Sequence, residues 1–108
     1  MNETDALAAF ASISSATRLR ILKRLVEAGS SGLTAGDIAE AVDATPSRTS
    51  FHLSNMSEAG LVTSSRQARR ITYRIDFTTV GALMRYLLED CCNNNATVRA
   101  CCLPGGGC

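Results

Sequence analysis

The chain has 108 residues, a length typical of one domain, and 45% of them are hydrophobic while 19% are charged. This ordinary globular composition argues against disorder before residue 93. The longest unbroken apolar run is Ala6–Ala11, whereas a membrane-spanning helix needs about 20 such residues. The sequence starts with acidic residues and lacks the basic-then-apolar pattern of a signal peptide, so we expect a cytoplasmic protein that makes no membrane contact.

The small net charge of +1 hides a local excess of positive charge. Residues 48–74 carry one acidic residue, Glu58, and a set of arginines: Arg48, Arg66, Arg69, Arg70 and Arg74. Clustered positive charge indicates an anionic partner such as nucleic acid, although it is also typical of a solvated protein face.

Two amphipathic helices are predicted at the start of the chain, over residues 5–13 and 16–28, and Gly29 ends the second. Their apolar stripes are Leu7, Phe10 and Ala11 in the first helix and Leu19, Leu22 and Val26 in the second, with Ile21 and Leu25 beside them. This spacing is typical of amphipathic helices.

A helix-turn-helix is predicted next. Thr34 and Asp37 form a capping box at the start of a short helix that runs to Val42. After a tight turn, Thr45 caps a helix that runs to about residue 59, with Pro46 at its first position. The inward stripe of this helix is Thr49, Leu53 and Met56, and its exposed residues are Ser47, Arg48, Ser50 and Ser54. Small polar residues let a helix approach DNA, but they are equally typical of a solvent face.

A basic hairpin follows the helix-turn-helix. Strands are predicted over residues 61–65 and 71–76, the second with a clear period of two. The loop between them, residues 66–70, contains Arg66, Arg69 and Arg70. A hairpin in this position is a wing, which can place arginines on phosphates or in a minor groove.

A last amphipathic helix is predicted over about residues 80–90, capped by Thr78 or Thr79. Its apolar stripe is Val80, Leu83, Met84, Leu87 and Leu88. This stripe either packs on the core or pairs with a second copy of the chain.

The five cysteines all follow residue 90, so the core is built without cysteine. An odd number of thiols in a protein without an export signal is a poor disulfide framework. We therefore divide the chain into a domain over residues 1–92 and a cysteine-rich tail over residues 93–108, in which the thiols add reactive chemistry to a complete fold.

These elements resemble the ArsR/SmtB family of winged-helix metalloregulatory repressors over roughly residues 5–90. The matching segments are 14–22, 37–39, 50–53 and 58–62. The resemblance implies an α+β, mostly helical winged helix-turn-helix with about five helices and a two-stranded wing. It also implies a homodimer whose interface includes Leu7, Phe10, Leu83, Met84 and Leu87. The paired recognition helices would enter successive major grooves of double-stranded operator DNA, with half-sites about 34–36 Å apart.

The family's DNA-contacting positions correspond to Ser47, Arg48, Ser50 and Phe51 on the recognition helix and to Arg66, Arg69 and Arg70 on the wing. Phe51 departs from the polar residue common in the family. Its ring can touch a thymine methyl group or pack against the preceding helix. His52, the only histidine, is expected to be structural or near DNA rather than a metal ligand, because no second imidazole exists.

Two familiar sensor sites of the family are not expected here. Residues 33–42 contain no cysteine pair, and a zinc site on the last helix would need further histidines. The vicinal Cys91–Cys92 pair instead resembles the branch of the family that binds arsenite at its C-terminus. Trivalent arsenic and antimony are soft and select thiolates. The expected ligands are Cys91, Cys92, Cys101 and Cys102, with Cys101 or Cys102 as the third thiolate and Cys108 as a spare.

Methylated arsenic(III) would need only two thiolates, and no resident cofactor is required. Several alternatives remain open. A disulfide between the 91/92 and 101/102 pairs would make a redox sensor, and four thiolates could bind cadmium or zinc. The tail could also be adventitiously rich in thiols, or the chain could scavenge metal. An enzyme is disfavoured because no cysteine has the surroundings of a nucleophile.

Overall fold

The computed structural model describes residues 1–103 and 105. Its elements in chain order are α1 (Glu3–Ile13), α2 (Ala16–Ala28), a 3₁₀ turn (Gly29–Ser31), β1 (Leu33–Thr34), α3 (Ala35–Val42), α4 (Pro46–Glu58), β2 (Val62–Gln67), β3 (Arg70–Ile75), α5 (Phe77–Arg85), a π-helix (Tyr86–Cys91) and α6 (Ala96–Cys102). The predicted mostly helical winged helix-turn-helix is confirmed. Cys108, the predicted spare thiol, lies outside the described residues.

The apolar stripes predicted for α1 and α2 coincide only in part with the faces that the structure buries, because Phe10 and Leu22 pack against the core from positions beside the buried residues. The buried residues of α1 are Ala6, Ala9 and Ser12, and those of α2 are Ile21 and Leu25. Leu19 and Val26 remain 47% and 43% exposed. The apolar residues of α2 form a broad stripe on one side of the helix, and periodicity did not decide which part of that stripe is buried. The small residues of α1 let it pack closely against α2 and α4.

The helix-turn-helix formed by α3 and α4 is confirmed in detail. The amide of Asp37 donates to Thr34 Oγ1 at 3.2 Å, and the amide of Thr34 donates to the Asp37 carboxylate at 3.4 Å. Asp43 ends α3 in the left-handed conformation, with φ of 53°. The inward residues of α4 are those predicted, and they join the core with Ile38 and Val42. This packing fixes the direction of α4.

The sheet has three antiparallel strands in the order β1-β3-β2. The sequence did not predict β1, because two residues carry no periodic signal. Leu33 pairs with Tyr73 of β3. The preceding Gly32 has φ of +66°, and a Cβ atom there would lie 2.5 Å from the Tyr73 carbonyl oxygen. Only glycine allows the chain to enter the sheet at this point.

The wing has a shorter loop than predicted. Gln67 pairs with Arg70, so Arg66 and Arg70 lie on strands and the turn contains only Ala68 and Arg69. The prediction of a loop over residues 66–70 was therefore wrong. The tip of the hairpin projects away from the core, so the side chains on both of its faces are exposed. The strand residues at the tip therefore lack the alternation of apolar and polar side chains that predicts a strand.

The C-terminal region also differs from the prediction. Asp76, rather than Thr78 or Thr79, caps α5 by accepting from the Thr79 amide at 3.1 Å. The last helix changes at Tyr86 into a π-helix that ends at Cys91. The tail contains a helix that the sequence did not predict, α6, and Asn95 caps it by accepting from the amides of Thr97 and Val98. No helix in the described part of the chain is long and apolar enough to cross a membrane.

Candidate nucleic-acid interface and thiol site

The recognition helix α4 presents a polar face opposite its buried stripe. Thr45 Oγ1 accepts from the amide of Arg48 at 3.2 Å and fixes the start of the helix. Ser47, Arg48 and Ser50 are all exposed, as their predicted role requires. This part of α4 offers hydroxyl and guanidinium donors to phosphate or base edges.

The wing arginines flank an open cleft of 790 Å³ between the hairpin, the start of α3 and α4. Arg69, Arg70 and Ser50 are among the residues that line it. Arg66 is also exposed on β2. Within residues 1–103 and 105 the ion pairs are Arg24–Glu27 and Arg85–Glu89, so no wing arginine has a carboxylate partner there. Their charge remains available to an anionic ligand.

Arg74 holds the wing in place, a role that the sequence did not reveal. Its Nε donates to the Ser30 carbonyl oxygen at 2.8 Å, and its Nη1 donates to Ser65 Oγ at 2.7 Å. The side chain thus links β3 with β2 and with the 3₁₀ turn after α2. Only its position in a basic segment could have drawn attention to it.

Arg18 makes a second connection that the sequence did not reveal. Its Nε donates to the Ser12 carbonyl oxygen at the end of α1, and its Nη1 lies 3.0 Å from His52 Nδ1 on α4. Partial burial lowers the pKa of His52, and the positive charges of Arg18 and Arg48 lower it further. His52 thus contacts protein in a structural position beside the exposed polar face of α4.

Phe51 is the most exposed large apolar residue of the described chain, at 67%. At this exposure the ring is not buried against the preceding helix, which was the second alternative raised from the sequence. It meets the His52 ring edge-on instead, with 5.8 Å between centroids.

The predicted interface residues divide into three groups by exposure. Leu7 on α1 and Met84 on α5 are 59% and 51% exposed, while Phe10 and Leu87 are half-buried. Leu83 is buried within the protomer, where it joins the core. The exposed members leave apolar surface on both terminal helices.

The described cysteines lie at the end of the π-helix and at the end of α6. Cys91 and Cys102 are exposed free thiols, Cys92 is a half-buried free thiol, and Cys101 is disulfide-bonded. Partial burial raises the pKa of Cys92, as do a hydrogen bond with Cys91 and the charges of Cys91 and Cys102. The structure therefore brings both Cys91 and Cys102 near Cys92.

These thiols do not form a ready-made metal site. Within residues 1–103 and 105, no three Cys, His, Asp or Glu side chains are grouped closely enough to hold a metal ion. The available ligands are nevertheless soft sulfur atoms at the protein surface. Such ligands favour a soft metal or metalloid ion, which can reach them from solvent.

Comparison with known proteins identifies the fold and the family. A family model described as "Helix-turn-helix domain" matches residues 13–65. The chain is 37% identical over 88 residues to the HTH-type transcriptional regulator YgaV of Escherichia coli, a match that covers 82% of this chain and 87% of YgaV.

Solved structures agree with this assignment. An ArsR-like transcriptional regulator from Rhodococcus sp. RHA1 superimposes with a TM-score of 0.73 at 26% identity, covering 83% of this chain and 82% of that one. The homodimeric winged helix-turn-helix DNA-binding domain of Mb0332 from Mycobacterium bovis has the same fold, with a TM-score of 0.63 at 23% identity, covering 81% and 84%. The chain belongs to the ArsR-like family of winged helix-turn-helix transcriptional regulators.

Proposed function

We propose that this regulator is a repressor that releases operator DNA when trivalent arsenic, as arsenite or methylarsenite, binds its C-terminal thiols. The observation that carries the proposal is a vicinal pair of free thiols, Cys91 and Cys92, at the end of the π-helix, with a further free thiol, Cys102, near enough to Cys92 to influence its pKa. Antimonite has the same chemistry and belongs to the same ligand class.

The coordination chemistry fits three thiolates. Adjacent thiols at Cys91 and Cys92 can both bind one large soft atom, and Cys102 on α6 supplies a third. The three are not yet grouped within one coordination shell. Binding would therefore draw α6 towards the π-helix, and that movement would transmit ligand binding to α5. A coupling of about 1–3 kcal/mol would weaken DNA binding about 5- to 150-fold.

The proposal includes a homodimer that pairs α1 and α5 of one protomer with those of its partner. The exposed Leu7 and Met84 supply apolar surface for this contact. The homodimeric relative Mb0332 shares the fold. A dimer would place two copies of α4 in successive major grooves and would let movement near α5 change their relative orientation.

The variant Leu7→Glu/Met84→Glu is expected to be monomeric, because an interface core does not tolerate unpaired charge. Sedimentation velocity measures the change. The matched control is Leu19→Glu on α2, whose side chain is 47% exposed and lies outside the proposed interface. A double variant that remains dimeric, or a control that dissociates equally, would contradict the assignment of α1 and α5.

Fluorescence anisotropy of the reduced protein on its own promoter DNA tests the proposed signal. Arsenite, added in the presence of excess reductant, is expected to release the DNA near one equivalent per protomer. Methylarsenite is expected to do the same through two thiolates. If saturating arsenite leaves the affinity for DNA unchanged, the proposal is contradicted.

A redox sensor is the second candidate, because Cys101 is disulfide-bonded while Cys91, Cys92 and Cys102 are free thiols that an oxidant could still join. It requires an oxidant, and not a metalloid, to release DNA. Replacing Cys101 and Cys102 by serine would remove any disulfide between the two pairs while leaving the vicinal pair intact. Oxidant-driven release that is lost in this variant would establish the redox sensor. Release by cadmium in the same assay would point to a thiolate metal site instead.

A further inference from the structure

We propose that Phe51 reads the C5-methyl group of a thymine in the major groove and that Arg18, acting through His52, is the positioning residue for its ring. This inference rests on the DNA binding that is part of the proposed function. It adds the base feature that is recognised and a link between α1 and the recognising side chain.

The position of Phe51 on α4 is the first argument. At 100° per residue, its side chain points almost directly away from the buried Thr49, Leu53 and Met56. Its neighbours on this face, Ser47 and Ser54, have short side chains, so the phenyl ring projects further than either. In the free protein 67% of this side chain is exposed, and contact of an apolar ring with water is unfavourable. Contact with DNA would remove that water from the ring.

The second argument is that the ring is held, although it is exposed. Its edge-on contact with His52 has an interplanar angle of 66°. His52 is fixed in turn by Arg18 at 3.0 Å, and Arg18 is anchored on the Ser12 carbonyl oxygen. The base-facing ring is therefore connected through two side chains to the end of α1. A ring held before binding loses less conformational freedom on contact than a mobile one.

The protonation state of His52 follows from this geometry. Arg18 can only donate, so Nδ1 must accept, and the neutral ring then carries its proton on Nε2. The charged groups that face His52 are Arg18 from α2 and Arg48 from α4, and both oppose protonation. An imidazolium would lose the contact with Arg18 and release the ring of Phe51.

The groups exposed in the major groove indicate which one a phenyl ring would contact. The thymine methyl is the apolar group that the base pairs present in the major groove, where the other recognition groups are hydrogen-bond donors and acceptors. A phenyl ring has no donor or acceptor and gains by contact with that methyl group. Burying one methyl group is equivalent to about a four-fold change in affinity.

The experiment begins with duplexes that the wild-type protein selects from a random pool. Each thymine of one half-site is replaced by deoxyuridine, which removes only the methyl group. One position per half-site is expected to lose about four-fold in affinity, and about 15-fold when both half-sites are changed. Phe51→Ala should bind thymine and uracil equally at that position, whereas the matched control Ser54→Ala should retain the discrimination.

The role of Arg18 is tested by the same thymine-to-uracil ratio. Arg18→Gln is expected to lower the ratio towards one. In the wild type, the ratio should also fall as the pH is lowered below about 6.5, the ordinary pKa of histidine, because protonation removes the acceptor at Nδ1. Phe51→Ala should show no such pH dependence of its ratio. The pH series needs no substitution at Arg18, so it tests the link even where that variant fails to fold.

Selected DNA that binds equally well with uracil at every position would overturn the inference and leave the proposed function standing. Discrimination that persists in Phe51→Ala would also overturn it. A ratio independent of pH and of Arg18 would overturn the positioning role. Failure to select any DNA would overturn the proposed function, and this inference with it.

Discussion

The double variant Cys91→Ser/Cys92→Ser is expected to keep operator DNA bound at arsenite concentrations that release it from the wild type. Hydroxyl oxygen is a hard donor and does not replace thiolate on a soft centre. The loss of arsenite affinity should exceed the roughly 10- to 100-fold that follows removal of an outer hydrogen-bonding partner from a metal site. Calorimetry with arsenite and anisotropy with DNA measure the two effects separately.

The control for this variant is its own affinity for DNA without ligand. Both thiols lie outside the buried core, so the free energy of unfolding should change by no more than about 0.5 kcal/mol. Cys102→Ser is the matched single variant. It should weaken the response to arsenite and preserve the response to methylarsenite, because the vicinal pair remains. Unaltered release by arsenite in the double variant would exclude the Cys91–Cys92 pair as the sensor.

Replacing the wing arginines, in Arg66→Gln/Arg69→Gln/Arg70→Gln, is expected to produce the largest loss of DNA affinity. Each phosphate contact contributes about 0.9 to the slope of log K against log salt concentration. A dimer that loses six such contacts should show a slope smaller by about 5, and affinity near 0.1 M salt should fall by about a thousand-fold or more. Anisotropy titrations at several salt concentrations measure both quantities.

The matched control removes the same number of charges from α2. Arg20, Lys23 and Arg24 are exposed and lie outside the proposed DNA surface. Their replacement by glutamine should change the slope much less than the wing variant does. Equal effects of the two triple variants would mean that general charge, rather than the position of the wing, governs binding.

The sequence predicted well those parts of the fold in which a local pattern, such as a helix cap, is compatible with only one structure. The capping box at Thr34 and the Thr45–Pro46 start of α4 depend on contacts within one helical turn. The inward stripe of α4 was unambiguous because the remaining residues on that helix are mostly polar. In α2 the apolar stripe is broad, so the part of it that is buried was decided by contact with α1 and α3.

The parts of the candidate site that the sequence did not predict depend on contacts between distant residues. Arg18 and His52 are 34 residues apart, and Arg74 and Ser30 are 44 apart. Neither contact produces a periodic pattern in the sequence. The sequence did predict a grouping of thiols, from their position in the chain alone. The helix α6, which brings Cys102 near Cys92, is too short for its pattern to distinguish it from a loop.

The π-helix sets the direction in which the side chains of Cys91 and Cys92 point. Its wider turn accommodates one residue more than an α-helical turn, and the amide of Cys92 donates to the Leu87 carbonyl oxygen across five residues. An unbroken α-helix of the same sequence would point the sulfur atoms in a direction differing by about 100°, the rotation of a single residue. The number of residues between Tyr86 and Cys91, rather than their identity, thus acts as an angular spacer. A one-residue insertion or deletion there would turn the thiols towards a different side of the protein without altering a single sulfur atom.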